Sequence, residues 1–480
     1  MDIPAVRAPE LARDSLRWFN TPYPLSLEAV RGRLVILDFW TFCCINCLHI
    51  LPILAEVETL YADHVTVIGV HSPKFTAEKD ADAVKAAIGR YEIHHPVIHD
   101  PDMQLWRDYA VRAWPTLVFV SPDGYVMGQF SGEPDRDKLL ATIEAVLAAY
   151  EKEGRLVASI LPAMTENTQA GELAFPGKIK PAPGLGYTLA DSGHHRILLL
   201  DHEGAILKSF GGEAGFRDGM KPLFRAPQGL AASRDAIYVA DTGNHALRRI
   251  DIETGRVTTL AGSGARGPIL EEAQPAGASA LASPWDVALD GDKLYFANAG
   301  THQLGCLRLA QDRVTLVAGN GRENIVDGAA LEAQLAQPSG LALAGTLLYF
   351  VDSETSSLRQ VSLEPPSRVD TLIGAGLFVF GHSNGPFAEA RLQHSLGLCR
   401  YGEHLLIADS YNNALRRVDL AQGVLRDFGE DYLCLDDLCL PYAEPSGIHA
   451  DEQHILVSDT NNHRIVALDP GRKTMRTWLR

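Results

Sequence analysis

Three cysteines stand within five positions of one another, at Cys43, Cys44 and Cys47, in a chain of 480 residues that contains only seven. The segment is "DFWTFCCINCLHILP", residues 38–52, and its last two cysteines have C-x-x-C spacing. Such a pair can bind metal, close a structural disulfide or exchange disulfides. A four-ligand metal site needs a second pair at matching spacing, and the remaining candidates, Cys434 and Cys439, have C-x4-C spacing and lie near the far end of the chain. We therefore predict a redox pair and no metal site.

The elements around the pair favour this chemistry. The apolar run "RLVILDFW" (33–40) predicts a strand buried on both faces, and "NCLHILPILAEVETLYAD" (46–63) has helical spacing of apolar residues. Cys44 then lies at a helix start, where unpaired N–H groups and the positive end of the dipole stabilise a thiolate. Cys47, one turn later, can resolve a mixed disulfide. Burial of Asp38 in the apolar strand raises its pKa and suits it to exchange a proton with Cys47.

The rest of residues 1–150 alternates between strand and helix patterns. We predict the further strands and helices at 64–72, 77–92, 115–132 (a hairpin) and 135–153. This order predicts an α/β domain with a mainly parallel sheet, helices on its faces and one antiparallel hairpin. Pro115 directly precedes a strand, and a cis bond there would bring the backbone beside the thiols. His94 and His95 could tune the thiols, but a loop before the strand at "PVIHD" accounts for them.

A second architecture occupies residues 171–480, and residues 151–170 connect the two as a linker or lend a strand that locks the second domain. Segments similar to "YVADTGNHALRRID" occur six times. One position in each serves as an anchor, and the anchors are Asp191, Asp241, Asn298, Asp352, Asp409 and Asp459. Successive anchors are 50, 57, 54, 57 and 50 residues apart. Each block holds about four short strands. A period near fifty with four strands per unit predicts a β-propeller, here with six blades.

The polar residues of the repeat are interpreted structurally. The anchor acids end strands and precede turn residues, so we expect them to cap backbone N–H groups rather than bind metal. His195, His245, His302 and His463, four positions after their anchors, are expected to form hydrogen bonds between blades. Cys306 and Cys399 are expected to be small buried hydrophobic residues. Cys434 and Cys439 are either buried in the same way or paired in a disulfide.

Composition limits the partners and the compartment. The formal charge is −17, from 60 acidic and 43 basic residues, which argues against a large nucleic-acid or anionic-membrane surface. The N-terminus lacks the pattern of a secretory signal, and no apolar run reaches the ~18 residues of a membrane span. Few, unevenly spaced cysteines favour a reducing cytosol. We expect a cytoplasmic protein with a protein partner, and the sequence leaves its oligomeric state open.

Residues 15–150 resemble the thioredoxin family through "LDFWTFCCINC" and the later proline. The resemblance implies that Cys44 is the nucleophile, Cys47 the resolving thiol, Asp38 the buried acid, Pro52 a helix kink and Pro115 the cis-proline.

Two departures from the family pattern affect the pair itself. Cys43 stands where the family usually has tryptophan, and Ile45-Asn46 replaces the usual Gly-Pro. The additional thiol of Cys43 leaves pairing with Cys47, or a strained pairing with Cys44, as alternatives.

The blades resemble NHL repeats, and the whole arrangement resembles the NHL repeat-containing protein 2 family, whose bacterial members match this length. The resemblance implies a thiol–disulfide oxidoreductase without a diffusible cofactor, supplied by an external dithiol, with a propeller that recognises a protein. A scaffold whose thioredoxin-like domain has lost turnover is the alternative, and peroxide reduction by Cys44 is a third possibility.

Overall fold

The structure is a computed structural model that describes residues 6–159, 171–271, 273–436 and 440–480. The chain forms two compact units, Met1–Gln169 and Ala170–Arg480. The first is thioredoxin-like and the second is a six-bladed β-propeller, as the sequence predicted. Within the described ranges, none of the helices has the length and apolar character needed to cross a membrane.

A seven-stranded sheet forms the centre of the N-terminal unit. Its strands and helices, in chain order, are β1 (Val6–Arg7), β2 (Arg17–Phe19), β3 (Leu34–Trp40), α1 (Ile45–Leu60), β4 (Val65–His71), α2 (Ala81–Arg90), β5 (Val97–His99), α3 (Gln104–Asp108), β6 (Thr116–Val120), β7 (Tyr125–Ser131) and α4 (Arg136–Lys152). The strand order is β1-β7-β6-β3-β4-β5-β2. All seven residues of β3 are buried, as its continuous apolar sequence predicted.

The sheet is mixed, and the prediction of a mainly parallel sheet is wrong. The strands β3, β4 and β5 run parallel, but β6 lies antiparallel beside β3 and continues into the β6–β7 hairpin. Two short strands from the first twenty residues, β1 and β2, complete the edges. They are too short to show a periodic pattern in the sequence. Helices α1 and α4 bury Ile50, Leu54 and Ile143 against one face of the sheet.

The C-terminal unit consists of six sheets of four main strands. The strands are Pro176–Ala182, Gly186–Asp191, Arg196–Leu200 and Ile206–Gly211 in blade 1; Gly229–Ala232, Ala236–Asp241, Ala246–Asp251 and Val257–Ala261 in blade 2; Pro284–Asp290, Lys293–Asn298, Gln303–Arg308 and Arg313–Ala318 in blade 3; Pro338–Ala344, Leu347–Asp352, Ser357–Ser362 and Arg368–Ile373 in blade 4; Gly397–Tyr401, His404–Asp409, Ala414–Asp419 and Val424–Phe428 in blade 5; and Pro445–Ala450, Ile455–Asp459, Arg464–Asp469 and Thr474–Leu479 in blade 6. Blades 3 to 6 each add a two-residue outer strand: Gln274–Pro275, Gly328–Ala329, Gly385–Pro386 and Leu433–Cys434. The innermost strands of successive blades are in contact, and that of blade 6 contacts that of blade 1. The ring is therefore closed.

The anchor residue of each blade is a capping group, as predicted. Its side-chain oxygen accepts a hydrogen bond from the backbone N–H of a residue just before the innermost strand of the same blade. The donor and acceptor pairs are Ala174 and Asp191, Arg225 and Asp241, Ala282 and Asn298, Ala336 and Asp352, Gln393 and Asp409, and Ala443 and Asp459. Buried carboxylates of this kind require compensation, and five blades supply it with an arginine: Arg196, Arg248, Arg359, Arg416 and Arg464. In blade 3 the anchor is the neutral Asn298, and the positions that carry arginine elsewhere hold Gln303 and Gly305.

Four histidines join neighbouring blades, which confirms their predicted role. The Nδ1 atom of each accepts a backbone N–H from the next blade, at 3.1 Å from Ala226 for His195, 3.0 Å from Ser283 for His245, 3.2 Å from Gln337 for His302 and 3.1 Å from Phe175 for His463. Blades 4 and 5 use Ser356 and Asn413 in the same way. The bond from Phe175 to His463 closes blade 6 on blade 1.

The cysteines outside the C-x-x-C segment differ in whether they are free or disulfide-bonded. Cys306 and Cys399 are free and buried, as predicted. Cys434 takes part in a disulfide bond. Its suggested partner, Cys439, lies outside the described residues.

Candidate active site

The Cys44–Cys47 pair lies where β3 has ended and α1 begins. Cys44 occupies the N-cap position, with extended backbone angles of φ −82° and ψ 114°. Its carbonyl accepts the N–H of Cys47 at 3.0 Å and that of Leu48 at 3.2 Å, which forms the first turn of the helix. Cys44 is partly exposed, whereas Cys47 is fully buried. The local geometry that the sequence predicted is therefore present, with the first thiol at the surface and the second one turn deeper.

The deeper thiol resists ionisation. Burial raises the pKa of Cys47 well above its ordinary value, and the hydrogen bond and charge of Cys44 and the charge of Asp38 raise it further, while the backbone N–H of Thr41 acts in the opposite direction. A thiol in this environment needs a nearby base before it can attack a disulfide.

The carboxylate of Asp38 can serve as this base. It is fully buried in the middle of β3, and neither carboxylate oxygen has a hydrogen-bond partner. Burial raises its pKa to about 7, while the charge of His95 acts in the opposite direction. A carboxyl group with a pKa near neutrality can both accept and return a proton. The structure thus brings Cys44, Cys47 and Asp38 together.

Pro115 lies at the end of the sheet from which the cysteine loop departs. The Trp114–Pro115 peptide bond is cis. Thr116, the next residue, pairs with Phe39 of β3. The indole N–H of Trp114 donates to the carbonyl of Ser72 at 2.9 Å, which connects the start of β6 to the end of β4.

Glu78 supports the loop and was not found from the sequence. It is fully buried in a single 3₁₀ turn at Ala77–Lys79. One carboxylate oxygen accepts the hydroxyl of Thr41 and the N–H of Cys43, the latter at 3.1 Å. The other accepts the N–H groups of Lys74 and Phe75 at 2.8 and 2.9 Å. In the sequence this acid belongs to a polar stretch, "FTAEKD", that gives no sign of burial.

Cys43 lies inside this hydrogen-bonded loop. Its side chain is 2% exposed, and its sulfur lies 3.6 Å from the Thr41 hydroxyl. It is therefore far less accessible than Cys44. No cluster of three or more metal-ligating side chains occurs within the residues that the structure describes.

Comparisons with known proteins agree with this architecture. The thioredoxin-like family matches residues 32–126, and the NHL repeat matches residues 224–250. A 115-residue segment, 24% of the chain, is 28% identical to "Thiol-disulfide oxidoreductase ResA" of Bacillus thuringiensis and covers 64% of that protein.

Two longer relatives match nearly the whole chain. "Protein SUPPRESSOR OF QUENCHING 1, chloroplastic" of Arabidopsis thaliana is 39% identical over 97% of this chain, which spans only 47% of that protein. "NHL repeat-containing protein 2" of Gallus gallus is 37% identical over 97% of this chain and 70% of its own length. The chain therefore belongs to the NHL repeat-containing protein 2 family.

Proposed function

We propose that the N-terminal unit exchanges disulfides through Cys44 and Cys47. The observation that carries the proposal is the asymmetry of the pair: one thiol is accessible at a helix N-terminus, and the other is buried one turn deeper beside an acid with a pKa of about 7. Cys44 attacks a client disulfide, forming a mixed disulfide and releasing one client thiolate. Cys47 then loses its proton to Asp38 and attacks the Cys44 sulfur, which releases the second client thiol and leaves a Cys44–Cys47 disulfide. Two electrons pass to the client, and an external dithiol restores the pair.

Several features support this assignment. Burial of Cys43 in the Glu78-supported loop favours Cys44 as the attacking thiol. The thioredoxin-like family match over residues 32–126 includes the pair. A 115-residue segment of the chain is also similar to a protein named a thiol-disulfide oxidoreductase. No step requires a diffusible cofactor.

The propeller is proposed to recognise a protein client. It offers a closed ring with long connections between blades, a surface suited to holding a macromolecule. We propose the cytosol as its compartment on the basis of cysteine usage, although the name of the Arabidopsis relative assigns that protein to the chloroplast.

A redox titration tests the proposal against a scaffold without turnover. The purified full chain is equilibrated with graded mixtures of oxidised and reduced dithiothreitol and then alkylated and digested. The masses of the cysteine-containing peptides are measured. We expect Cys44 and Cys47 to form one disulfide with a defined midpoint, and the Cys43→Ser variant to behave in the same way. If the two thiols stay alkylatable across the whole range, the scaffold alternative is correct.

A trapping experiment tests the client step. The Cys47→Ser variant cannot resolve a mixed disulfide, so it should hold a client on Cys44 that is released by reductant and identified by mass. The Cys44→Ser/Cys47→Ser variant is the matched control. Equal capture by the two variants would show that the client does not react at Cys44.

A further inference from the structure

A buried polar niche lies beside the carboxyl group of Asp38. In the parallel pairing of β3 with β4, Asp38 stands opposite Gly69, which has no side chain to cover it. A methyl group added at Gly69 would lie only 3.0 Å from Trp40 Nε1 and 3.3 Å from both His95 Nε2 and Val97 Cγ2, so these atoms cover the glycine closely. Neighbouring strands are about 4.8 Å apart, so the Asp38 carboxyl group faces the same small space as these two nitrogens.

The polar atoms around the niche are left without hydrogen-bond partners in the described structure. They are both oxygens of Asp38, Nε1 of Trp40 and Nε2 of His95, on side chains of residues that are at most 4% exposed. Buried polar atoms without partners are rare and destabilising. Three such side chains at one place, next to the deeper thiol, indicate a function rather than a contribution to stability.

His95 connects this niche to the surface. Its other ring nitrogen, Nδ1, lies 3.2 Å from Oε2 of Glu58 on α1, and the Glu58 side chain is 29% exposed. The imidazole therefore has one nitrogen directed to the Asp38 niche and the other on an acid that reaches solvent. A histidine can accept a proton on one nitrogen and release one from the other.

We propose that His95 carries the proton between Asp38 and the solvent-facing Glu58 when Cys47 reacts, a role that rests on the disulfide exchange proposed above. Cys47 gives its proton to the Asp38 carboxylate, and its thiolate forms the bond to Cys44 while the client sulfur leaves with the electron pair of the broken bond. Asp38 passes the proton to Nε2 of His95, and the proton on Nδ1 leaves through Glu58 to water. The released client thiolate takes a proton from water, so the step is balanced.

The charges around the niche agree with this role. Titratable groups of three elements lie near Asp38 and His95. They are Cys44 at the N-cap of α1, Cys47 and Glu58 on α1, His71 of β4, which packs against Trp40, and His99 of β5, which packs against His71. Burial lowers the pKa of both His71 and His99, so neither supplies a positive charge at neutral pH. The charge of His95 is the one that opposes the effect of burial on the pKa of Asp38.

A carboxyl titration of the full chain tests the inference independently of redox activity. The protein is labelled with ¹³C-aspartate, the Asp38 signal is assigned with the Asp38→Asn variant, and its shift is followed from pH 5 to 9. In the His95→Gln variant the midpoint should rise by about one pH unit, because the imidazolium that His95 becomes when it takes the proton favours the ionised form of Asp38, and a neighbouring positive charge lowers an acid's pKa by about that amount or more. The exposed neighbour provides a matched control, and His94→Gln should leave the midpoint unchanged. An equal midpoint in wild type and His95→Gln would overturn the inference.

A second variant tests the niche without removing the histidine. Gly69→Ala adds a methyl group within 3.3 Å of Trp40 Nε1 and His95 Nε2. It should push His95 away from Asp38 and so move the Asp38 midpoint in the same direction. Thermal unfolding of both variants verifies that the N-terminal unit is folded. If His95→Gln does not fold, the result with Gly69→Ala decides, and an unchanged midpoint there would refute the niche.

The resolving step gives a kinetic readout. Cys44 is first converted to a mixed disulfide with 5-thio-2-nitrobenzoate. Attack by Cys47 on the Cys44 sulfur then releases the coloured thiolate. A one-unit rise in the Asp38 midpoint should slow release about fivefold at pH 7, with recovery toward wild type at pH 9. If wild type releases no colour, the proposed exchange fails while the carboxyl titration still tests His95. If wild type and His95→Gln share one pH profile, the proton-carrying role fails while the exchange stands.

Discussion

Replacing the buried acid Asp38 with asparagine should stabilise the reduced N-terminal unit at alkaline pH. The pKa of Asp38 is about 7 in the folded chain, raised by burial, and about 3.9 in an unfolded chain. At a pH between these two pKa values, Asp38 keeps its proton in the folded chain and has lost it in the unfolded chain. Stability attributable to Asp38 is therefore complete below pH 4, falls as pH rises and is lost above pH 7.

The magnitude follows from the two values. A difference of about three pKa units at 1.36 kcal/mol each amounts to about 4 kcal/mol. In the Asp38→Asn variant this pH-dependent part is absent. The neutral amide is also buried without partners, at a cost of about 1–3 kcal/mol, but that cost does not change with pH.

The assay is urea unfolding of wild type and variant at half-unit steps from pH 5 to 8.5, with a phosphine reductant that keeps the thiols free. The transition of the N-terminal unit is followed by limited proteolysis, with cleavage sites assigned by peptide mass to distinguish it from that of the propeller. The difference in unfolding free energy should move in favour of the variant by about 2.7 kcal/mol between pH 5 and pH 8.5, because the rest of the effect lies below pH 5. Asp137→Asn, an exposed acid-to-amide change on α4, serves as control. A difference that stays constant with pH would refute the burial argument and remove the basis for Asp38 as a base at neutral pH.

Three further predictions follow from other contacts. Iodoacetamide at pH 7 should modify Cys44 at least about tenfold faster than the buried Cys47, as measured by peptide mass; equal rates would contradict the asymmetry of the pair. The Glu78→Ala variant removes the carboxylate that accepts four donors, three of them buried, so the unfolding free energy of the N-terminal unit should fall by about 3 kcal/mol or more; a urea midpoint within error of wild type would show that the loop does not depend on this acid. In blade 4, Arg359→Met should destabilise the propeller by about 3–5 kcal/mol, as measured by calorimetry, because the buried carboxylate of Asp352 loses its arginine partner. Adding Asp352→Asn, which imitates the neutral anchor of blade 3, should recover at least half of that loss, and a double variant no more stable than the single one would argue against charge compensation.

Much of the redox segment could be read from the sequence because its parts are contiguous. A buried strand, a turn with two cysteines and a helix follow one another within thirty residues, so their relative positions are set by local geometry. The cis bond before Pro115 and the buried acid at position 38 were expected from the resemblance and are present in the structure. Their roles in exchange remain predictions.

Glu78 and His95 could not be assigned in the same way. Glu78 is 35 residues from the Cys43 N–H that it accepts, and His95 is 37 residues from Glu58. Glu78 belongs to a polar stretch whose pattern predicts a surface, and His95 stands in a predicted loop just before a strand. Their burial results from the packing of the α1 side of the sheet and of the 3₁₀ turn, which no local pattern records.

The sequence by itself determined the repeat, the number of blades and the order of acid, thiol and thiol at Asp38, Cys44 and Cys47, because these depend on periodicity and on neighbours along the chain. The burial of Asp38 could be predicted from its apolar strand, but only the tertiary structure decided that Glu78 and His95 are also buried. The direction of β6 and the space left by Gly69 likewise bring together groups that are distant in sequence. Desolvation raises the pKa of Asp38 and of Cys47, and desolvation is a property of everything packed around a group rather than of its position in the chain.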